Sequence, residues 1–197
     1  SDPTVYYAFN NIKLQLQNSL FNSLDLSRCL YIDTLDLSNC INLRTLNIAK
    51  AARTKSINLS NCQKLESLTI SDLFQLEYLN LTGCTSLKTL IIENAEKLKS
   101  LNIDSCPINN ITIKNTGLSK LTINSIAGNN TLQTVNIQDN IESISITKST
   151  FKSNFSLDLS KCIKLTNITI TENSNLVKLI LPINIENTDK TLSISGN

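Results

Sequence analysis

The sequence predicts a mainly β fold, a nearly straight solenoid of about eight 22-residue coils with a parallel sheet on each side. Three observations carry that expectation. A short unit with a Leu-x-Leu or Leu-x-Ile core recurs at Leu24, Leu35, Leu46, Ile57, Leu68, Leu79, Leu90 and Leu101, an even step of 11 residues. Cys40, Cys62, Cys84 and Cys106 fall 22 apart, and the units between them put Ala51, Leu73 and Ala95 at the same place, so two units make one coil. Inside each core apolar and polar residues alternate, as in Leu79-Asn80-Leu81, which is the period of a strand with one face turned inward.

Taken in order, residues 1–20 break the step yet hold Tyr6, Tyr7, Phe9, Ile12, Leu14, Leu16 and Leu20, enough apolar surface for an N-terminal cap over the first coil. Residues 21–197 form one solenoid domain. The three prolines are scattered and the four glycines do not cluster, so nothing marks a linker. The full unit reads L-x-x-L-x-L-x-x-C, as at Leu76, Leu79, Leu81 and Cys84. Later cores at Ile111, Leu121, Val135, Ile144, Leu157, Ile168, Leu179 and Leu192 keep it while their spacing wanders between 9 and 14 residues. The longer intervals at 127–131, 148–154 and 182–190 read as loops at a binding edge or as repeat decay. Leu192-Ser193-Ile194 is still a repeat strand with no polar cap after it, which points to end-to-end self-association or to a shortened chain. Strands on both sides need equal room, hence the nearly straight rod; a strongly curved structure would refute it.

The unit L-x-x-L-x-L-x-x-[N/C], repeated over roughly residues 21–195, resembles the conserved segment of leucine-rich-repeat proteins in a cysteine-bearing form. A second copy of the strand unit stands where that family often has a helix, so the closer similarity is to bacterial cell-surface leucine-rich repeats with two strands per coil. That resemblance implies binding or adhesion outside the cell.

Catalysis is not expected. The chain has no His, which removes the commonest general base and most zinc sites, and it has no Gly-rich phosphate loop or C-x-x-C pair. No cofactor or metal is expected. Asp25, Asp36, Asp104 and Asp158 sit at outward strand positions where solvated carboxylates are the rule, although paired acids there would suit a carbohydrate-active parallel β-helix. A structural spacer is the other alternative. The six cysteines, at Cys29 and Cys162 as well as on the 22-residue step, are expected to be inward thiols acting as small apolar plugs rather than disulfides. Sequons at Asn58, Asn80, Asn110, Asn129, Asn154 and Asn167 follow automatically from Asn alternating with Ser or Thr. A net charge of +2 gives no footprint for nucleic acid, and no apolar run approaches the ~20 residues that cross a bilayer as a helix.

What remains is a non-enzymatic binding or adhesion scaffold that contacts a protein or glycan through its strand faces. One face carries Thr45, Asn47, Ser67, Thr69, Thr89, Ile91 and Thr112; the other carries Ser56, Asn58, Tyr78, Asn80, Ser100, Asn102 and Thr122. Tyr78 and Ile91 are the large groups among small ones and, with Asn58, Thr69, Asn80 and Asn102, are the candidate binding residues. The expected location is the cell surface or secreted, with the cytoplasm left open.

Overall fold

The structure, a computed structural model, describes residues 11–49, 51–124, 131–183 and 191–196. Among them every regular element is a strand. In chain order these are β1 (Ile12–Gln15), β2 (Ser23–Asp25), β3 (Ile32–Asp36), β4 (Thr45–Asn47), β5 (Ser56–Asn58), β6 (Ser67–Ser71), β7 (Tyr78–Asn80), β8 (Thr89–Ala95) and β9 (Ser100–Asn102). There follow β10 (Asn110–Thr116), β11 (Lys120–Asn124), β12 (Thr131–Leu132), β13 (Thr134–Gln138), β14 (Ser143–Thr147), β15 (Thr150–Asp158), β16 (Asn167–Thr171), β17 (Ser174–Ile180) and β18 (Thr191–Ser195).

Successive strands alternate between two sides of one stack, save that β12 and β13 follow each other on the same side. The first side holds the ladders β1-β3-β5-β7-β9 and β11-β14-β16-β18; the second holds β2-β4, β13-β10-β8-β6 and β12-β15-β17. Every pairing is parallel, and the register joins like to like: Leu35, Ile57, Leu79 and Leu101 are successive partners, as are Leu68, Leu90, Ile111 and Val135. About eight coils of roughly 22 residues result, as the periodicity predicts.

The unit explains its own packing. Leu76, Leu79, Leu81 and Cys84 are all buried, the middle leucine from the strand and the others from the corners beside it. A single coil cannot cover them. Each fully buried Leu or Ile contributes about 1.5–3 kcal/mol relative to exposure, and only the neighbouring coils provide that cover. The corners need left-handed backbone, which Asn tolerates better than other residues with a Cβ. Asn39, Asn61 and Ser105 have positive φ at one corner, and Gly83 takes the same place in the coil between them. A Cβ on Gly83 would meet the Asn61 side chain, so glycine also makes room there. Asp72, Asn94 and Asn115 fill the same role at another corner, where Asn94 Nδ2 donates to Asp72 Oδ1 at 2.7 Å and Asn115 Nδ2 to Asn94 Oδ1 at 3.0 Å.

Three sequence expectations change. The interval 148–154 is not a loop: 150–158 is the nine-residue β15, whose Phe151 is fully buried and stacks on Phe155 with ring centroids 4.7 Å apart. The extra residues are taken up where the pairing of β15 with β17 shifts register, beside the positive φ of Asn154. Cys29 is exposed rather than an inward plug, while the other five cysteines are buried. Residues 12–15, from the expected cap, pair as β1 with β3 and so form a rung of the ladder. Tyr6, Tyr7 and Phe9 lie outside the described residues, as do the intervals 125–130 and 184–190.

Neither side is one unbroken sheet. Pairing stops between β9 and β11 on the first side, and between β4 and β6 and between β13 and β15 on the second. The interruptions are staggered. Where β4 and β6 part, β5 and β7 stay paired; where β9 and β11 part, β8 and β10 stay paired; where β13 and β15 part, β14 and β16 stay paired. Each pair of neighbouring coils therefore keeps a ladder on at least one side.

Candidate functional site

The first side presents three aligned outward rows across β3, β5, β7 and β9. One residue before Thr34, Ser56, Tyr78 and Ser100, the side chains of Asp33, Lys55, Glu77 and Lys99 alternate in sign, with Lys55 Nζ 2.8 Å from Asp33 and Lys99 Nζ 2.8 Å from Glu77. Hydrogen bonds from these partners hold the Lys55 and Lys99 ammonium groups above their ordinary pKa and the Glu77 carboxyl below its own. Such solvent-screened pairs contribute little stability, but they leave the row electrically neutral.

The middle row is Thr34, Ser56, Tyr78 and Ser100. Tyr78 is 51% exposed and has a serine as its partner on each side. Its ring therefore stands above short neighbours, held by a strand paired at both edges.

The third row is Asp36, Asn58, Asn80 and Asn102, and it behaves differently from the sequence expectation. Asn58 Nδ2 donates to Asp36 Oδ1 and Asn80 Nδ2 to Asn58 Oδ1, each at 3.1 Å. The oxygen atoms of Asp36, Asn58, Asn80 and Asn102 accept the backbone N–H two residues on, from Ser38, Ser60, Thr82 and Asp104. These side chains terminate their strands as Asx turns and bridge the coils. Burial works to raise the Asp36 carboxyl, but hydrogen bonds from Ser38, Gln17 and Asn58 outweigh it and hold the group low. Asp25 and Asp158 make the same turn, to Ser27 and Ser160. Three of the four surface aspartates singled out in the sequence thus have a structural task, and Asp104 follows Asn102 in that turn.

Thr69 and Ile91 lie on the opposite side, on β6 and β8, where Thr69, Ile91 and Thr112 are successive partners. The structure therefore brings Asn58, Tyr78, Asn80 and Asn102 together and separates them from Thr69 and Ile91. Three expected face members also fall off their ladders: Thr122 belongs to β11, which does not pair with β9, and Thr45 and Asn47 belong to β4, which does not pair with β6.

That last interruption makes a groove of about 390 Å³ between β4 and β6, walled by Thr45 and Asn47 on one strand and Ser67, Thr69 and Ser71 on the other. Sequence reasoning read these residues as a flat face and missed the groove.

The buried cysteines do more than fill space. Cys40, Cys62, Cys84 and Cys106 point Sγ at the backbone oxygen of Leu16, Leu37, Leu59 and Leu81 in the preceding coil, at 3.0–3.2 Å. Each thiol donates to a corner carbonyl. Burial pushes the Cys62 thiol up to about 12 and the Cys162 thiol up to about 11; Cys84 is raised by its hydrogen bond with Cys106 and by burial. Nucleophilic thiolate chemistry is thereby suppressed at Cys62, Cys84 and Cys162.

Compared with known proteins, the chain matches no family model, no curated protein and no solved structure. Among the described residues no His, Cys, Asp and Glu side chains cluster as a metal site, and no helix is long and apolar enough to cross a membrane.

Proposed function

We propose that this chain is a non-enzymatic binding or adhesion scaffold of the two-stranded leucine-rich-repeat type, acting at a cell surface or after secretion, as in the bacterial proteins its repeat resembles. Its partner is a protein or a glycan. The observation that carries the reading is Tyr78: a large aromatic group, half exposed, raised above Ser56 and Ser100 on a strand clamped from both edges. Aromatic side chains offer much contact area for little ordering cost, and a ring fixed by the scaffold loses less freedom on contact. The amide row beside it adds hydrogen-bonding groups whose positions the inter-coil bonds already fix. The alternating charges of the outer row favour an uncharged or mixed-charge partner over a strongly acidic or basic one.

The direct test is capture of partners by the immobilised chain and by its Tyr78→Ala variant, with equal unfolding temperatures as the control. Loss of partners with unchanged stability supports the reading; an unchanged partner set removes Tyr78 as the anchor.

A further inference from the structure

The groove between β4 and β6 combines two independent features. It is a cavity of about 390 Å³ whose walls set the hydroxyl and amide side chains of Thr45, Asn47, Ser67, Thr69 and Ser71 beside the apolar Leu46, Ile48 and Ala49, and it is the place where a regular parallel ladder opens and leaves backbone groups unmatched. Thr45 N–H donates to Asn22, and Asn47 O accepts from Leu26, so the backbones of Thr45 and Asn47 face β2 and that of Leu46 faces β6. Across the gap, Glu66 O accepts from Thr89, which turns Glu66 and Leu68 toward β8 and turns Ser67 and Thr69 toward β4. No backbone hydrogen bond joins the two strands among the described residues. The N–H and C=O groups of Leu46, Ser67 and Thr69 therefore point into the groove, beside the side chains of Thr45, Asn47, Ser67, Thr69 and Ser71.

We infer that this groove is a binding site for a neutral saccharide of one to a few rings. Every wall offers donors and acceptors at close intervals, which matches a ligand whose hydroxyl groups each donate and accept. Among the described lining residues Arg44 is the one charged group, and it lies 3.8 Å from Glu66, whose carboxylate offsets it. Inserted peptide fits less well. An added strand needs the walls about 9.6 Å apart, twice the ladder spacing. The same two coils are held at ladder distance on the other side by β5 pairing with β3 and β7, and by Cys62 Sγ bonded to Leu37 O at 3.2 Å. The assignment rests on the proposed binding role while placing the contact on the side away from Tyr78.

The test is titration of the isotopically labelled full chain with maltotriose, cellotriose and chitotriose, followed through backbone amide shifts. At least one sugar is expected to move the Leu46, Ser67 and Thr69 resonances with a dissociation constant of about 1 mM or tighter. In the Thr69→Val variant, which keeps side-chain bulk, and in Ser67→Val, which adds one methyl group, that binding should weaken about tenfold while Tyr78→Ala leaves it unchanged. Absence of shifts at these amides with all three sugars overturns the inference, as does binding that survives both valine variants. A five-residue β-forming peptide that shifts the same amides where no sugar does also overturns it. Any of these results leaves the Tyr78 surface as a separate question, answered by its own capture experiment.

Discussion

Replacing Phe151 by Ala should separate the two ends of the stack. The ring is fully buried and lies face to face with Phe155 at 4.7 Å and 18°. Truncating a buried Phe costs about 3–5 kcal/mol through lost transfer energy and the remaining cavity, and the aromatic pair adds about 0.5–1.5 kcal/mol. Taking the overlap into account, about 4–5 kcal/mol is lost, a large share of the roughly 5–15 kcal/mol that stabilises a domain. The loss should not spread evenly. Coils interact with their nearest neighbours, and the second side has no ladder between β13 and β15, so the damage passes toward the N-terminal coils mainly through β14 pairing with β16, with the two-residue pairing of β12 and β15 beside it. Hydrogen exchange read by mass spectrometry on peptides covering β15, β16 and β17 should accelerate about a thousandfold, the equivalent of some 4 kcal/mol, while β5, β7 and β9 change by less than about threefold. Val177→Ala, at a position 68% exposed on β17, is the control and should cost under about 0.5 kcal/mol. Equal acceleration in β5 and β15 would show that the stack melts as one unit, and a cost below about 1 kcal/mol would mean that Phe151 is not a core residue.

Two further outcomes follow from side-chain environments. Of the six cysteines, Cys29 alone should react within seconds with an aromatic disulfide reagent in the native state, and the five buried thiols only on the timescale of unfolding; rapid labelling of Cys62, whose thiol is pushed up to about 12, would contradict its burial. The Asp36 carboxyl is held low by hydrogen bonds, so its contribution is complete above the unfolded value near 3.8 and disappears as pH falls through the lower folded value. Asp36→Asn should therefore cost less than about 1 kcal/mol at neutral pH and flatten the loss of unfolding temperature on acidification below about pH 4; an unchanged acid limb means that this carboxylate does not contribute there.

The repeat made the architecture legible because its information is periodic. A step of 11 residues fixes which leucines face inward, and the 22-residue step of cysteines fixes which strands share a side; both survive in the register of Leu35, Ile57, Leu79 and Leu101. The candidate surface was only half legible. Tyr78 stands out because one bulky residue breaks a row of serines, whereas nothing in the sequence shows that the amides of Asn58 and Asn80, grouped with it as binding candidates, also hold a turn and bond to the preceding coil. Nothing in an outward Asn distinguishes these uses, since both need the same residue at the same strand position. Phe151 was missed for the opposite reason: with the spacing lost, 148–154 looked like an insertion, although an aromatic pair four residues apart can lie along one side of a locally bulged strand.

The staggered interruptions account for why one of them is an open groove. Between β13 and β15 the chain supplies β12, which pairs with the start of β15 at Phe151, so the edge is covered from within. Between β4 and β6 no such strand stands among the described residues, and the cavity remains. An opening of that kind would ordinarily collapse, since unmatched backbone groups regain their bonds when strands approach. Here β4 and β6 stay unpaired among the described residues, although β5 and β7 of the same two coils are joined in a regular ladder. A ligand entering it meets donors and acceptors already in place, which is the condition under which weak polar contacts add up to measurable affinity.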